Sequence, residues 1–452
     1  MYAEERERER ERGREREYHL AFISILGSKK VTLQAPSISP FGSKLKADKN
    51  KNAEGNQNTV VYSAFVDMME SSGKEEEDYY PLKRKVTLIA WQKSNVINDT
   101  VKCCILNSAH IAVPSRVIKA TQCCYNMGLI RARRVECEIH GIYLDIQGVS
   151  LAHINTNCSN NEQDYVKPIV LSSNLKQNKW AICIKYIYGR GPNSRKLVEW
   201  FEIHRSLGVD RFLVHFESTI QSSTKSVLQY YQMNGLAEVL EINAPFKDTI
   251  NRHNHSPRSE LYNDEQVGLW NCRERLKYYN YVGDLDTDEF ILPHDITKNP
   301  TKKTLIDAFG RNVGVVTFFA YVHITSWEKT NTTSLLQIGQ YGEATEPLIE
   351  APKNMFMPSR VKYGEGTVHT IYPKTGFSRI FLDPVKAAIH HFRLCRRQWL
   401  DPFTAKIYRN GTVKYLNVTC NDFRRVRFSP LKQMNVATLE KKILQAYKQL
   451  RI

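Results

Sequence analysis

Alternating strand-like and helix-like segments between residues 180 and 321 constrain the fold of this chain most strongly. Residues 181–188 form a nearly continuous apolar run, which is typical of a strand buried on both faces. A helical pattern follows at 194–207, and the order of strand and helix then repeats along the chain. This alternation predicts an α/β fold with a mainly parallel sheet and helices on both faces, in which ligands bind at the carboxyl ends of the strands.

The individual elements can be placed from apolar spacing. We predict strands at 181–188, 211–216, 237–242 and 313–321, and helices at 194–207, 222–233 and 259–279.

Composition divides the rest of the chain. Residues 1–82 contain an Arg-Glu repeat and polar stretches without an apolar face, so we predict a disordered, low-complexity region. Residues 83–175 contain five or six short strand-like runs and predict a small β-rich accessory domain. The α/β domain then occupies residues 176–400, and residues 401–452 form a basic C-terminal extension.

The positive charge is concentrated at one end of the chain. The net charge is +17, and the segment from Arg393 to Ile452 contributes +11, with fourteen Lys and Arg residues against three acidic ones. Such a segment can bind phosphate groups, an anionic surface or nucleic acid, or it can be a solvated helical face. Because no other feature favours nucleic acid, we predict no nucleic-acid partner.

An acidic cluster follows the apolar residues Tyr281 and Val282. Alternate residues of an extended chain project to the same side, so Asp284, Asp286 and Asp288 can converge on one point. Several carboxylates without partners are costly, and their oxygens suit Mg²⁺ or Mn²⁺. Ordinary turn or helix-capping carboxylates are the alternative, but the position at the end of a predicted strand favours a metal site.

From about Cys183 to Arg393 the sequence resembles glycosyltransferase family 92, because a set of motifs occurs in the order found in that family. These motifs are Tyr188-Gly189, Glu199 to Arg205, Leu207 to Asp210, Tyr230-Tyr231, Gly235, Pro245, Gln266, Cys272, Asp286 to Phe290, Pro293, Lys353, Pro358, Val361, His369 and His390 to Arg393.

The resemblance implies a GT-A-type, Rossmann-like domain, a nucleotide-sugar donor, a divalent metal and transfer of a hexose, typically galactose, with inversion. Within Asp286-x-Asp288, the second carboxylate would hold Mn²⁺ or Mg²⁺, and the first would bind the donor ribose or reach the metal. We also expect His391 to be a metal ligand, and Arg393 and Lys353 to contact the donor phosphates. Asp284 lies outside the family motif.

An inverting transfer needs a general base for the acceptor hydroxyl, normally a carboxylate beyond the metal motif. Glu343, Glu346 and Glu350 lie in a suitable stretch, and the sequence does not choose among them. In the same zone, Phe319 to His323 departs from the family, which commonly carries a Phe-Gly motif there.

These observations predict a metal-dependent hexosyltransferase that uses UDP-galactose and a glycan acceptor. A non-catalytic carbohydrate-binding or scaffold protein that keeps the fold is the alternative. Ten cysteines and six Asn-x-Ser/Thr sites favour the secretory pathway. The resemblance implies a Golgi membrane protein with an N-terminal anchor, although the chain shows no transmembrane segment or signal peptide.

Overall fold

The structure is a computed structural model, and its described residues belong to one compact unit within residues 48–452. It describes residues 53–56, 59–67, 84–93, 101–123, 130–139, 146–171, 176–245, 257–293, 301–362, 364–367, 369–395, 405–407, 413–415, 420–427 and 436–452. No helix within these ranges has the length and apolar character needed to cross a membrane.

The N-terminal part of the described chain is β-rich. Its strands are β1 (Ala53–Asn56), β2 (Thr59–Asp67), β3 (Arg84–Lys93), β4 (Val101–Asn107), β5 (Ala112–Ser115), β6 (Val117–Gln122), β7 (Ile130–Ile139), β8 (Ile146–His153) and β9 (Ile169–Leu171). One sheet has the order β1-β2-β3-β7-β6, with β9 on β2, and a smaller sheet has the order β5-β4-β8. Apolar residues of both sheets form one core, and the Cys103–Cys137 disulfide joins β4 to β7. The predicted β-rich region is therefore present.

Strand β2 corrects part of the prediction that residues 1–82 are disordered. Tyr62 and Phe65 in this strand are buried, and both pack against residues that lie far away in the sequence. The apolar run of β2 is short, and the polar residues around it dominate the composition of the segment. Residues 1–52, 57–58 and 68–83 lie outside the described residues.

A larger sheet forms the centre of the chain. Its strands are β10 (Lys176–Ile187), β11 (Arg211–Glu217), β12 (Ala237–Ile242), β13 (Tyr279–Asp284), β14 (Glu289–Leu292), β15 (Val313–Ile324), β17 (Leu348–Phe356), β18 (Ser378–Leu382) and β19 (Ala388–Arg393). The order is β12-β11-β10-β13-β17-β15-β19-β14, and β18 also pairs with β15. The first four strands are parallel, as predicted, whereas β17 and β14 are antiparallel to their neighbours. The fold is therefore mixed α/β.

Helices cover both faces of this sheet. They are α1 (Ser194–Ser206), α2 (Ser222–Met233), α3 (Pro257–Arg275), α4 (Thr301–Phe309), α5 (Gln337–Gln340) and α6 (Val436–Leu450). Trp200, Leu228 and Ile443, from α1, α2 and α6, belong to the core on one face, and Leu269 of α3 belongs to the core on the other. Helices α1 and α2 lie where the apolar spacing predicts them, whereas α3 ends at Arg275, four residues before the predicted end at 279.

Helix α3 lies between the central sheet and the β-rich region. Every residue from 263 to 274 is buried, so this helix has no solvent-facing side in that stretch. Trp270 packs in a core with Tyr62 and Trp91 of the β-rich sheet, and the indole of Trp91 donates a hydrogen bond to Asp264 Oδ1 at 3.0 Å. The two sheets therefore share α3 as a common packing partner.

Besides α6, the C-terminal part makes a second contact with the central part of the chain, in a separate two-stranded sheet. Strand β22 (Arg425–Arg427) pairs with β16 (Glu343–Thr345), and a disulfide joins Cys395, just after β19, to Cys420. Two short strands, β20 (Ala405–Ile407) and β21 (Val413–Tyr415), form a hairpin.

Candidate functional site

A cleft of about 1050 Å³ lies at the carboxyl ends of β10 and β13. These strands are parallel, and Cys183 pairs with Asp284, so the chain brings Lys185 and Asp286 side by side just beyond that level. The charged and titratable residues that line the cleft come from several elements. They are Lys185, Lys196, Glu265, Asp286, Asp288, Glu289, Lys353, His369, His391 and Arg393, together with the phenols of Tyr186, Tyr188 and Tyr262.

Asp286 lies between two ammonium groups. Lys353 Nζ donates to its Oδ2 at 2.5 Å, and Lys185 Nζ lies 3.4 Å from its Oδ1. Burial acts to raise the pKa of Asp286, but Lys185 and Lys353 outweigh it and hold that pKa well below the usual range. The first carboxylate of the Asp-x-Asp motif is therefore ionised, and both of its oxygens face lysines.

Asp288, Glu289 and His391 form a second group. Their potential ligand atoms all lie within 4.8 Å of one another. His391 Nε2 is 3.2 Å from Asp288 Oδ2, and its Nδ1 is 3.7 Å from Glu289 Oε1. The antiparallel pairing of β14 with β19 sets Glu289 opposite His391. Two carboxylates and one imidazole fit Mn²⁺, so the residues present suit the implied metal. The structure brings Asp288 and His391 together, adds Glu289, and places Asp286 against the lysines.

The two cations predicted to contact phosphate both line the cleft. Lys353 is 4 % exposed, and its Nζ also lies 3.1 Å from Glu289 Oε2. Burial acts to lower the pKa of Lys353, but Asp286 and Glu289 outweigh it and raise that pKa above the usual range. Arg393 is partly buried, and its Nη1 lies 3.3 Å from His391 Nε2.

Two of the three candidate bases form ion pairs outside the described lining of the cleft. Glu343 pairs with Arg425 at 3.0 Å, and Glu346 pairs with Arg424 at 2.8 Å. The described residues that line the cleft include neither of these glutamates. Glu350 belongs to β17, but its side chain lies outside the described residues.

Sequence reasoning missed Lys185 and Glu265 in the cleft. Lys185 is 7 % exposed, and its Nζ lies 3.5 Å from Glu265 Oε2 of α3. One signal was available, because Lys185 is the only charged residue in the apolar run 181–188. Glu265 carried no such signal, since acidic residues on a helix are usually solvated.

Helix α1 supports the cleft from behind. The indole Nε1 of Trp200 donates to the backbone oxygen of Glu289 at 2.8 Å, and the His204 ring stacks on Phe290. Glu199 accepts hydrogen bonds from the backbone N–H groups of Gln337 and Ile338, at 2.9 and 3.0 Å. One turn of α1 therefore positions both the acidic motif and the start of α5, whose Gln337 lines the cleft.

Asp284, at the end of β13, has a structural partner. Its Oδ2 accepts a hydrogen bond from Arg273 at 2.8 Å, and both side chains are buried. Arg273 also donates to the backbone oxygen of Thr367, in the loop that leads to His369. This pair therefore connects the motif strand to another segment of the cleft wall.

The segment Phe319 to His323 lies in β15, beside β19. His323 Nε2 and His390 Nδ1 are 2.9 Å apart, and His323 Nδ1 lies 2.9 Å from the backbone oxygen of Tyr341. The segment Phe319 to His323 thus supports the strand that carries His391.

Comparison with known proteins finds a distant relative that is named as a galactosyltransferase. The chain is 22 % identical over 119 residues to the beta-1,4-galactosyltransferase galt-1 of Caenorhabditis elegans, a match that covers 25 % of each chain. The chain thus spans about a quarter of that relative's length, and the similarity is distant.

Solved structures give only weak likenesses. HddC from Yersinia pseudotuberculosis has 9 % identity and a TM-score of 0.27, and the match covers 47 % of this chain and 93 % of that one. A UDP-glucose pyrophosphorylase complexed with UDP-glucose has 10 % identity and a TM-score of 0.20, with coverage of 60 % and 99 %. Neither likeness supports an inference about this chain.

The decisive match is to a family. The sequence model of glycosyltransferase family 92 matches residues 178–442, which is more than half of the chain and includes most of β10, both acidic groups of the cleft and β19. The chain with this cleft belongs to glycosyltransferase family 92.

Proposed function

We propose that the protein transfers galactose from UDP-galactose to a hydroxyl group of a glycan acceptor, with inversion at C1 and with dependence on Mn²⁺ or Mg²⁺. Membership of a glycosyltransferase family implies a nucleotide-sugar donor and a glycan acceptor, and it suggests the secretory pathway. The distant relative named as a galactosyltransferase supports the choice of sugar. A Golgi membrane location is part of the same proposal.

The observation that carries the proposal is the group of Asp288, Glu289 and His391 in the cleft. These three residues would hold the divalent ion, which when bound supplies positive charge to the diphosphate of the donor. Lys353 and Arg393 line the same cleft and add positive charge.

The proposed reaction is a single displacement at the sugar. An acceptor hydroxyl oxygen forms a bond to C1 while the bond from C1 to the diphosphate oxygen breaks and its electron pair leaves with UDP. The hydroxyl proton passes to a base. The cleft has to place the acceptor on the face of C1 opposite the diphosphate, and it has to stabilise the charge that develops on UDP.

Calorimetric titration with UDP, with and without Mn²⁺, tests the site. We expect Mn²⁺ to strengthen UDP binding, and Asp288→Ala to remove that effect and the transfer activity. The fold should survive, since the Asp288 side chain is 41 % exposed. UDP binding that is equally strong with and without Mn²⁺ would contradict the proposed metal site. So would UDP binding that is as strong in Asp288→Ala as in the unaltered protein.

A donor screen tests the reaction. We expect turnover with UDP-galactose to exceed turnover with other UDP-hexoses, and the anomeric configuration of the product, read by NMR, to be inverted. Glycan binding without transfer of any sugar would instead favour the non-catalytic carbohydrate-binding or scaffold protein.

A further inference from the structure

Lys185 is a buried cation in the cleft that the metal group does not use. It lies in β10, where its neighbours from Ala181 to Ile187 are apolar and buried. An ammonium group in such a strand is costly to bury unless charged partners compensate for lost hydration.

The contacts of Lys185 are longer than those of the other buried lysine in the cleft. Its Nζ lies 3.4 Å from Asp286 and 3.5 Å from Glu265. Lys353 Nζ lies 2.5 Å from Asp286 and 3.1 Å from Glu289. Charge-assisted N–H···O bonds are normally about 2.7–2.9 Å long. Lys185 is thus held in place by two carboxylates at distances beyond that range.

The position of Lys185 relative to the strands matters as well. It follows Cys183, which pairs with Asp284 in the neighbouring parallel strand, so Lys185 and Asp286 reach the cleft at the same level. Just beyond Lys185 the chain passes through the Tyr188 to Asn193 segment of the cleft wall and enters α1. This ammonium group therefore lies where it would contact an anionic group bound across the ends of β10 and β13.

We propose that Lys185 binds the diphosphate of the donor and stabilises the negative charge that UDP gains when the bond to C1 breaks. Asp286 and Glu265 keep the side chain extended towards the cleft, and a phosphate oxygen accepts a short hydrogen bond from Nζ. Lys353 remains locked on Asp286 and Glu289 and holds the motif in shape. This inference rests on the proposed function for the identity of the nucleotide.

Binding of three probes to the full chain tests this role. The probes are UDP, uridine and inorganic diphosphate, each titrated in the presence of Mn²⁺. We expect Lys185→Gln to weaken binding of UDP and of diphosphate by at least about tenfold, the usual effect of losing a hydrogen bond to a charged group. Binding of uridine, which has no phosphate, should stay unchanged. Lower kcat for transfer at saturating donor is the matching kinetic result.

Lys179→Gln is the matched control. Lys179 lies in the same strand, is exposed, pairs with Asp210 at 2.9 Å and is not among the described residues that line the cleft. The control should bind all three probes as the unaltered protein does. If Lys185→Gln does not fold, Lys185→Gln/Glu265→Gln removes both charges of that pair and should show the same selective loss.

The outcomes separate this inference from the proposed function. UDP affinity unchanged by Lys185→Gln, or an equal loss for UDP and uridine, would overturn the role of Lys185. Failure of the unaltered protein to bind UDP, with Lys185-dependent binding of diphosphate, would overturn the uridine donor and retain this inference. Failure to bind either would overturn both.

Discussion

Asp284 and Asp286 are two residues apart, but their surroundings give them different roles. Asp284 is buried against Arg273, whereas Asp286 is 36 % exposed and faces two lysines in the cleft. The alternation of carboxylates in the sequence predicts that both side chains point to one side of the chain. It does not predict which cation each carboxylate contacts. These cations lie in α3, β10 and β17, and only the tertiary fold brings those elements next to the two carboxylates.

The pair formed by Arg273 and Asp284 should be essential for stability. Asp284→Ala leaves a buried guanidinium group without its carboxylate, and we expect the free energy of unfolding to fall by about 3 kcal/mol. Urea unfolding followed by circular dichroism measures this loss. The double variant Arg273→Met/Asp284→Leu should lose less than the sum of its single variants. Additive losses would show that the two side chains do not interact.

Helix α1 acts as one element that serves two parts of the cleft. Glu199 and Trp200 are consecutive residues, and they bind the start of α5 and the backbone of Glu289, respectively. Their spacing in the sequence predicts only a packed helix, since Trp200 has the spacing of a core residue. The hydrogen bonds of Glu199 and Trp200 explain why polar groups are buried together with the apolar face of α1.

Trp200→Phe tests the link between α1 and the acidic motif, and Trp180→Phe is its control. Both indoles are fully buried, but Trp180 Nε1 has no hydrogen-bond partner among the described residues. We expect Trp200→Phe to destabilise the protein by about 1–2 kcal/mol more than Trp180→Phe, because a buried carbonyl loses its donor.

The same pair of variants has a functional readout. Trp200→Phe should weaken Mn²⁺-dependent UDP binding, because the backbone oxygen of Glu289 loses the hydrogen bond from the indole. Trp180→Phe should leave this binding unchanged. Equal effects of the two substitutions on stability and on UDP binding would argue against this link.

At the scale of the whole molecule, buried histidines make stability depend on pH. Burial lowers the pKa of His204 to about 3 and the pKa values of His215 and His323 to about 4, against an ordinary value of 6.5. Between pH 6.5 and pH 4 these three histidines bind protons in the unfolded chain but not in the native chain. Their contribution to stability therefore falls as the pH falls. Glu199 acts in the opposite sense, because burial raises its pKa to about 7.

His369 acts in the same sense as these histidines, because burial lowers its pKa to about 4, whereas the raised pKa values of Glu265, Glu289 and His391 act in the opposite sense. One buried histidine changes the free energy of unfolding by about 1.4 kcal/mol per pH unit in its window, so its contribution is measured as the difference between the unaltered protein and a variant. Between pH 6 and pH 5 we expect His215→Asn to lose about 1.4 kcal/mol less stability per pH unit than the unaltered protein, measured by urea unfolding at several pH values. Equal slopes for the two proteins would contradict the prediction.

Helix α3 makes the β-rich region part of the same folded unit as the central sheet. Without β1 to β9, Val267 and Trp270 would lose the packing partners that bury them. We expect a chain of residues 176–452 to lack a cooperative thermal transition and to bind a hydrophobic dye. A sharp transition close to that of the full chain would show that the β-rich region is an independent accessory domain.

The sequence by itself determined the order of strands and helices from β10 to β13, the helices α1 to α3, and the place of the acidic motif at a strand end. These features are local, because apolar spacing and strand ends are properties of neighbouring residues. The tertiary structure decided what the acidic motif contacts. Lys353 lies 67 residues from Asp286 in sequence. In the sequence, Lys185 is a single charged residue within an apolar strand. Only the parallel pairing of β10 with β13 places it beside that carboxylate. The burial of strand β2 and of residues 263–274 in α3 was equally out of reach, since it depends on partners from both sheets.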